Sequence, residues 1–293
     1  MRLSELIGEA TATLAAAHVA SPRVDAELLA AFVIGVPRSR LLGAPNPTPA
    51  QVDQFRQLVT ARATRRPLQH LTGTAPFRHL VLRVGPGVFV PRPETERLVE
   101  WGLDWLRANP GGKVVDLCAG SGAIALSLAA EAPEPVPAVW AVEWDAAALE
   151  WLRRNAAGTP VTVVAGDVTD PGVLSELDGT VDLVLCNPPY VPEVGAAGLP
   201  PEVTDHDPHS AVFGGTDGLE IIRPLISRVA GLLRPGGAFA VEHDDTHAYV
   251  VPTLIGADGR FTDIKLHHDL ARRPRFTTAT RADPASADGR LAP

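Results

Sequence analysis

The sequence predicts an α/β protein in which a doubly wound, mainly parallel sheet follows a small helical domain and a linking β-hairpin. Three observations lead to this fold class. Residues 1–75 carry apolar side chains at helical spacing, residues 76–93 hold short β-rich runs, and residues 94–282 alternate apolar strands with amphipathic helices. A chain of 293 residues is long enough for one small and one medium domain.

The predicted helical domain, residues 1–75, begins with apolar residues such as Leu3, Leu6 and Ile7 on one helical face. The helical spacing runs over residues 3–34 and is broken near Ser21-Pro22. Thr48 is expected to cap a further helix whose first position is Pro49. These segments predict a small all-helical head that ends near Pro67.

The predicted hairpin, residues 76–93, consists of two apolar runs at residues 77–84 and 88–90. Gly85-Pro86-Gly87 separates the runs and has the composition of a turn. We therefore expect the hairpin to reverse at these three residues. The prolines at 91 and 93 end it, and helical spacing resumes at Glu94.

The predicted catalytic domain, residues 94–282, alternates strands and helices in the way that gives a parallel sheet covered on both faces. The expected strands lie at residues 114–117, 139–142, 161–165, 181–186 and 238–241. The expected helices lie at residues 123–130, 146–155 and 219–233. Residues 261–266 and 276–280 are predicted to form a terminal antiparallel pair, and residues 283–293 a disordered tail.

The charge of −8 argues against a protein whose main task is to coat nucleic acid. Residues 1–75 carry eight arginines against five acids, a net +3 that leaves −11 for the remainder. This basic head could contact an acidic or phosphate-rich partner, or its arginines could be scattered and solvated. Two cysteines provide no disulfide framework, which favours the cytoplasm, and no apolar run is long enough to suggest membrane insertion.

A glycine-rich turn follows the first strand of the sheet, where ligands of doubly wound folds bind. It reads Asp116, Leu117, Cys118, Ala119, Gly120, Ser121 and Gly122. Glycines here let the backbone approach a ligand without a Cβ clash. The spacing of these glycines also fits a dinucleotide-binding fingerprint, which requires an acidic residue about 20 residues further on. An ordinary tight turn is a third interpretation of the same residues.

Two acids end the next two strands. Glu143 could accept hydrogen bonds from both ribose hydroxyls of an adenosine. Asp167 could accept a hydrogen bond from the adenine amine while Val168 packs on the ring, or Asp167 could simply stabilise a turn. Both alternatives for Asp167 stay open at this stage.

The most informative motif is Asn187-Pro188-Pro189-Tyr190 at the end of the fourth strand. The prolines lack N–H donors, so the carbonyl of Pro188 and the side-chain oxygen of Asn187 could accept both hydrogens of an –NH₂ group. An amide nitrogen is a poor nucleophile, and such a grip aims it at a methyl donor. The ring of Tyr190 offers a surface for a planar acceptor. The pattern indicates an S-adenosylmethionine-dependent methyltransferase that acts on an amide or amine nitrogen.

Three alternatives remain beside it: a nucleic-acid amino methyltransferase acting on adenine or guanine, an NAD-dependent oxidoreductase, and a non-catalytic module that only binds S-adenosylmethionine. The histidines lack ligand spacing with acids or cysteines, so we expect no metal site. Cys118 and Cys186 both end strands; they could be neighbours or simply small apolar residues.

With these residues placed, the chain resembles the peptide chain release factor glutamine methyltransferase family (PrmC, also called HemK) over nearly its full length. The specific parts are Pro91-Arg92-Pro93-Glu94-Thr95-Glu96 and the run from Gly214 to Leu219, since Asn-Pro-Pro-Tyr is shared with some nucleic-acid methyltransferases. The resemblance implies a Rossmann-like class I methyltransferase fold whose last strand is antiparallel. It also implies methylation of the glutamine side chain in the Gly-Gly-Gln motif of class I release factors.

The same resemblance implies roles for individual residues. The cofactor, with S-adenosylhomocysteine as its product, would contact residues 116 and 118–122, Glu143, Asp167, Val168 and Asn187. The glutamine would meet residues 187–190, with Phe89 and Arg92 as further substrate contacts. The helical domain would help to bind the release factor.

The chain departs from the family pattern at three places. Cys118 stands where the first glycine of the loop is usual, so the backbone there must accept a side chain. Glu242-His243-Asp244-Asp245-Thr246-His247 replaces Glu-x-Gly-x-x-Gln, and Arg272 replaces a usual glycine.

Overall fold

The computed structural model describes residues 2–283, so nearly all of the tail predicted at 283–293 lies outside the described residues. The predicted helices and strands occur in the predicted order, and further helices lie between them. The helices are α1 (Leu3–Ala16), α2 (Pro22–Ile34), α3 (Pro49–Ala63), α4 (Leu68–Thr72), α5 (Glu96–Ala108), α6 (Ala123–Glu131), α7 (Ala146–Ala156), α8 (Pro201–Thr204), α9 (His209–Val212), α10 (Ile222–Leu232) and α11 (Val250–Asp258). The strands are β1 (Thr74–Phe77), β2 (Leu80–Arg83), β3 (Lys113–Leu117), β4 (Ala138–Glu143), β5 (Val161–Ala165), β6 (Val181–Cys186), β7 (Leu233–Glu242), β8 (Phe261–His268) and β9 (Pro274–Arg281).

The helical unit comprises residues 2–74, Val84–Pro86 and Pro200–His206. Its core contains the fully buried side chains of Leu14, Leu29 and Phe55. The predicted break near Ser21-Pro22 is confirmed, because α2 begins at Pro22. The predicted cap is confirmed too, since the Thr48 hydroxyl accepts a hydrogen bond from the Gln51 N–H at 3.3 Å. Short helix α4 continues the unit beyond the predicted end at Pro67.

The segment Pro200–His206 joins the helical unit through a buried cluster of charges, although its sequence lies inside the predicted catalytic domain. Arg62 pairs with Asp25 at 2.7 Å and with Glu202 at 2.8 Å, and Arg65 pairs with Glu202 at 2.6 Å. Burial alone would raise the pKa of Glu202, but hydrogen bonds from Arg65 and Arg62 hold it at about 2. Most arginines of the basic head are thus committed to internal ion pairs, as Arg23, Arg38 and Arg56 also are.

The predicted turn of the hairpin is wrong. Strands β1 and β2 form the two-stranded sheet and reverse at Arg78 and His79 instead of at Gly85-Pro86-Gly87. Arg78 accepts a positive φ of 50°, and the carboxylate of Glu96 accepts its N–H at 3.0 Å. The glycine at 87 serves another purpose, because a Cβ there would lie 2.8 Å from Ala147.

The second unit is built on a seven-stranded sheet of order β5-β4-β3-β6-β7-β9-β8. Neighbours from β5 to β7 are parallel, and β9 lies antiparallel between β7 and β8, which confirms the predicted doubly wound sheet and terminal pair. The chain moves from β3 to one edge and then returns to place β6 on the other side of β3. Ligands of such sheets bind at this switch, beyond the carboxyl ends of β3 and β6.

Apolar layers cover both faces of this sheet. Alternate strand residues point to opposite faces, so Val114 belongs to one layer and Val115 to the other. Helices α5, α6 and α7 contribute to the first layer, and α10 and α11 to the second. The arrangement leaves the strand ends as the place where polar side chains gather. Within residues 2–283, no helix has both the length and the apolar character needed to cross a bilayer.

Candidate active site

The loop after β3 turns through three left-handed residues. Cys118, Gly120 and Gly122 have φ values of 61°, 55° and 88°. Cys118 therefore accepts a conformation that favours glycine, as its place in the family pattern required, and Arg272 does the same at φ 61°. A Cβ on Gly122 would lie 2.8 Å from Leu152, whereas no heavy atom of the described residues lies within 4 Å of a Cβ position on Gly120. The open side of the loop is thus at Gly120.

Glu143, at the end of β4, holds this loop in place. One of its oxygens accepts the Gly120 N–H and the other accepts the Asp145 N–H, both at 2.8 Å. Burial raises the pKa of the carboxyl, and these backbone hydrogen bonds oppose the rise. Each carboxylate oxygen can accept more than one hydrogen bond, so Glu143 retains acceptor capacity for a ribose.

Asp116 lies inside the protein rather than on the open face of the loop. Its side chain has no exposed surface, and Oδ2 accepts the Ala125 N–H at 3.0 Å near the start of α6. Burial raises the pKa of Asp116 to about 8, so the group is largely neutral at pH 7. Asp116 supports the loop from within, and its predicted contact with the cofactor stays a prediction. Ser121, also predicted in this role, is buried too.

Asp167 and Val168 follow β5 at the same edge of the sheet. Oδ1 of Asp167 accepts both the N–H and the hydroxyl of Thr169, at 2.8 and 2.7 Å, which is the turn interpretation. The rest of the Asp167 side chain is exposed, while Val168 is buried in the core. The adenine contact stays a prediction.

The side chains of Asn187 and Tyr190 point to two different partners. Asn187 Nδ2 donates to the Thr95 hydroxyl at 3.2 Å, and the Tyr190 hydroxyl donates to Oε1 of Glu242 at 2.9 Å. Burial and the charge of Glu242 raise the pKa of Tyr190 well above its usual range. Tyr190 is therefore a neutral ring fixed at its hydroxyl end, and Asn187 Oδ1 is the atom left to accept from a ligand.

A glycine-rich run, residues 214–218, supports the backbone of this motif from behind. The Gly214 N–H donates to the Val191 carbonyl at 3.0 Å. A Cβ on Gly214 would lie 2.6 Å from the Pro189 carbonyl oxygen, and one on Gly218 2.3 Å from the Tyr190 carbonyl oxygen. Only glycine allows the two backbone segments to lie this close together. His247 packs on the other side of the glycine-rich run, where its ring contacts the Asp217 carbonyl at 2.9 Å.

Phe89 and Arg92, the further predicted substrate residues, lie together. The Arg92 guanidinium is 4.8 Å from the centre of the Phe89 ring and pairs with Asp207, whose side chain is fully buried. Both Phe89 and Arg92 keep partly exposed surface. The two side chains can present an aromatic face and a guanidinium fixed by its ion pair to a ligand.

Cys118 and Cys186 are neighbours, which settles one open alternative. Leu117 pairs with Cys186 across β3 and β6, and the Cys118 thiol contacts the Cys186 thiol. Burial and this contact raise the pKa of Cys186 well above its usual range, and both thiols are free. Among the described residues there is no cluster of side chains that could hold a metal ion.

The sequence did not predict a role in the site for two residues, Thr95 and Glu242. Both are nearly fully buried, and Thr95 was noted only as part of the Pro91–Glu96 run. A usable signal for Glu242 was present, because it ends an apolar strand at the same edge as Glu143 does. The carboxyl ends of parallel strands bring such acids to one face of the fold.

Comparisons with known proteins agree with this arrangement. A model of the PrmC N-terminal domain matches residues 5–73, and a model of the methyltransferase small domain matches residues 86–197. A release factor glutamine methyltransferase of Mycolicibacterium smegmatis is 56% identical over 280 residues, 96% of this chain and 98% of the relative. Relatives of the same description occur in Mycobacterium tuberculosis, 49% identical over 96% of this chain and 92% of the relative, and in Streptomyces coelicolor, 48% identical over 95% and 98%.

Proposed function

Because the chain belongs to the release factor glutamine methyltransferase family, we propose that it methylates the Gly-Gly-Gln glutamine of class I peptide chain release factors. The group modified is the side-chain amide nitrogen, and the donor is S-adenosylmethionine. The observation that carries the proposal is the hydrogen bond from Asn187 Nδ2 to Thr95, which leaves Oδ1 of Asn187 as the atom that can accept from an –NH₂ group.

The residues that would hold S-adenosylmethionine fit its chemistry. The glycine loop has open space at Gly120, and Glu143 keeps acceptor capacity for ribose hydroxyls. We assign the adenine end to Asp167 and Val168, and the loop contact to residues 118–122. Bound there, the sulfonium supplies an activated methyl group, so the protein needs no metal and no covalent nucleophile.

The chain's own task is to align and polarise the amide. Asn187 Oδ1 and the Pro188 carbonyl accept the two amide hydrogens, which favours lone-pair density on nitrogen over conjugation. The ring of Tyr190 stacks on the planar amide, beside Pro189. Phe89 and Arg92 contact the residues that flank the glutamine. Direct transfer then forms the nitrogen–carbon bond while the sulfur–carbon bond breaks, and the amide proton leaves to water.

The partner follows from the same proposal. Residues 94–282 act as the catalytic domain, residues 76–93 as the linker, and the helical unit helps to bind the release factor. A net charge of −8 disfavours stable nucleic-acid binding. Since release factors act in translation, the reaction belongs in the cytoplasm.

The test is an acceptor assay with labelled S-adenosylmethionine. Label should enter a class I release factor and should be absent when the Gly-Gly-Gln glutamine is replaced by alanine. Asn187→Ala should lower kcat by about 100-fold or more with little change in cofactor affinity. Asn109→Ala is the matched control, because Asn109 is exposed and follows α5 at the opposite edge of the sheet.

Two outcomes would contradict the proposal. Label in DNA or RNA with none in the release factor would identify a nucleic-acid amino methyltransferase. Cofactor binding with no transfer to any of these acceptors would identify a binding module.

A further inference from the structure

Four side chains from three separate parts of the chain meet behind the site. Thr95 precedes α5, Asn187 and Tyr190 follow β6, and Glu242 ends β7. Thr95 and Glu242 are 3% and 1% exposed, so water cannot substitute for their partners. Oε1 of Glu242 accepts the Tyr190 hydroxyl at 2.9 Å, and Oε2 has no hydrogen-bond partner among the described residues. The Thr95 hydroxyl, which accepts from Asn187 Nδ2 at 3.2 Å, lies near enough to lower the pKa of Glu242.

The chemistry of Glu242 favours one direction for the hydrogen bonds of its neighbours. An ionised carboxylate can only accept hydrogen bonds, whereas a hydroxyl can donate one and accept others. A Thr95 proton directed at the unpartnered Oε2 of Glu242 leaves the Thr95 oxygen to accept. It accepts from Asn187 Nδ2, and that choice turns Asn187 Oδ1 away from Thr95.

The opposite orientation would disable the motif. If the Thr95 hydroxyl donated to Asn187 Oδ1, the Asn187 amide would rotate and present its –NH₂ group to the ligand. A donor cannot accept the hydrogens of an amide nitrogen. The orientation of one side-chain amide thus decides whether the site can grip an –NH₂ group.

We propose that Glu242 is a positioning residue: through Thr95 it fixes the orientation of the Asn187 amide, and through Tyr190 it fixes the aromatic ring. It touches neither methyl donor nor acceptor. The inference rests on the proposed function and adds to it the group that makes Asn187 an acceptor.

The ionisation of Glu242 agrees with this geometry. Burial raises its pKa to about 7, opposed by hydrogen bonds from Thr95 and Tyr190 and by the charge of Arg275 on β9. The charge of Glu94 raises the pKa of Glu242 further. The charge of Glu242 in turn raises the pKa of the neighbouring Cys186. A protonated Glu242 can donate, so it no longer dictates the direction of the Thr95 hydroxyl. kcat should therefore fall as the pH drops through about 7.

The direct test is Glu242→Gln, which keeps the shape but adds a donor. We expect kcat on the release factor to fall roughly 10- to 100-fold while the Kd for S-adenosylmethionine changes little. The fall of kcat near pH 7 should disappear in the variant. Glu176→Gln, at an exposed position, is the matched control.

Thr95 supplies a second, independent variant pair. Thr95→Val removes the hydroxyl at nearly constant shape and should resemble Glu242→Gln, whereas Thr95→Ser keeps the hydroxyl and should restore most of kcat. Because Thr95 acts on Asn187 through the path that Glu242 controls, the double variant should be no slower than Glu242→Gln alone. Additive losses, or a Glu242→Gln kcat within twofold of the natural protein, would overturn the proposal.

A measurement made without any methyl acceptor distinguishes this inference from the proposed function. The side-chain amide resonances of Asn187 can be assigned by their loss in Asn187→Ala. They should shift in Glu242→Gln and Thr95→Val but not in Glu176→Gln. A shift without methylation of any release factor would overturn the proposed function alone, and unchanged resonances would overturn the positioning role alone.

Discussion

Gly218 provides a sharp quantitative test of the support behind the Asn-Pro-Pro-Tyr motif. It has a φ of 76°, and a Cβ there would lie 2.3 Å from the Tyr190 carbonyl oxygen. Gly259 has nearly the same φ, 77°, with no heavy atom of the described residues within 4 Å of its Cβ position. Replacing each by alanine therefore introduces the same backbone strain but only one steric conflict.

The magnitudes follow from these two environments. A left-handed residue with a Cβ costs about 1–2 kcal/mol, and the stiffer unfolded chain returns about 0.4–1 kcal/mol. Gly259→Ala should thus lower the free energy of unfolding by roughly 0.5–1 kcal/mol. Gly218→Ala should lose a further 1–3 kcal/mol or so through overpacking.

The activity should respond more strongly than the stability. An unstrained carbon–oxygen contact is about 3.3 Å, so the Tyr190 carbonyl must move by about 1 Å. A displacement of about 1 Å can lower a rate by about 100-fold. We expect that loss in kcat for Gly218→Ala, near-natural kcat for Gly259→Ala, and a similar Kd for S-adenosylmethionine in both.

The measurements are urea unfolding, single-turnover methylation of a release factor, and calorimetric cofactor titration. If Gly218→Ala folds poorly, Gly214→Ala provides a second variant without positive φ, since its Cβ would lie 2.6 Å from the Pro189 carbonyl oxygen. The reasoning is refuted if both variants match Gly259→Ala in stability and in kcat.

Two further predictions concern strain and charge. Cys118→Gly should raise the free energy of unfolding by roughly 0.5–1 kcal/mol, because relief of left-handed strain exceeds the entropic loss. Cys118→Ala keeps the left-handed strain, so it should not raise the free energy of unfolding. Equal urea midpoints for the two variants would contradict this prediction. Glu202→Gln should lower stability at pH 7 by about 1–3 kcal/mol, since Arg62 stays buried without its full partner. The Glu202 pKa is depressed to about 2, so the natural protein's advantage should be full above about pH 4.3 and shrink as the pH falls towards 2. Glu150→Gln, in an exposed pair, should change stability by less than about 0.5 kcal/mol.

The sheet was predictable because its signal is local and repeated. Each of the five parallel strands is a nearly unbroken apolar run, and burial on both faces is the physical reason for that composition. Because Glu143 and Asn187 each end such a run, the sequence alone predicts that both lie at one edge of the sheet. The turn of the hairpin was not predictable, because a glycine run fits both a reversal and a close approach to a neighbouring helix. Arg78 forms the reversal at a positive φ that its type does not suggest.

The support of the site was hidden for a different reason. Thr95 lies 92 residues from Asn187, and Tyr190 lies 52 residues from Glu242. No periodicity links such pairs, and a threonine between two glutamates gives no sign of burial. Helix α11 was also missed, because Val250, Val251 and Pro252 favour extended structure in isolation. Pro252 is tolerated there because it occupies the first turn of the helix.

The discontinuous helical unit has a consequence for how this chain folds during its synthesis. Glu202 is made 137 residues after Arg65. At elongation rates of about 5–20 residues per second, that interval lasts roughly 7 to 27 s. Until then Arg62 has only Asp25 as an acidic partner, so we expect the four N-terminal helices to remain incompletely stable while the sheet emerges. Stable folding of the head thus depends on a short segment encoded near the middle of the catalytic domain.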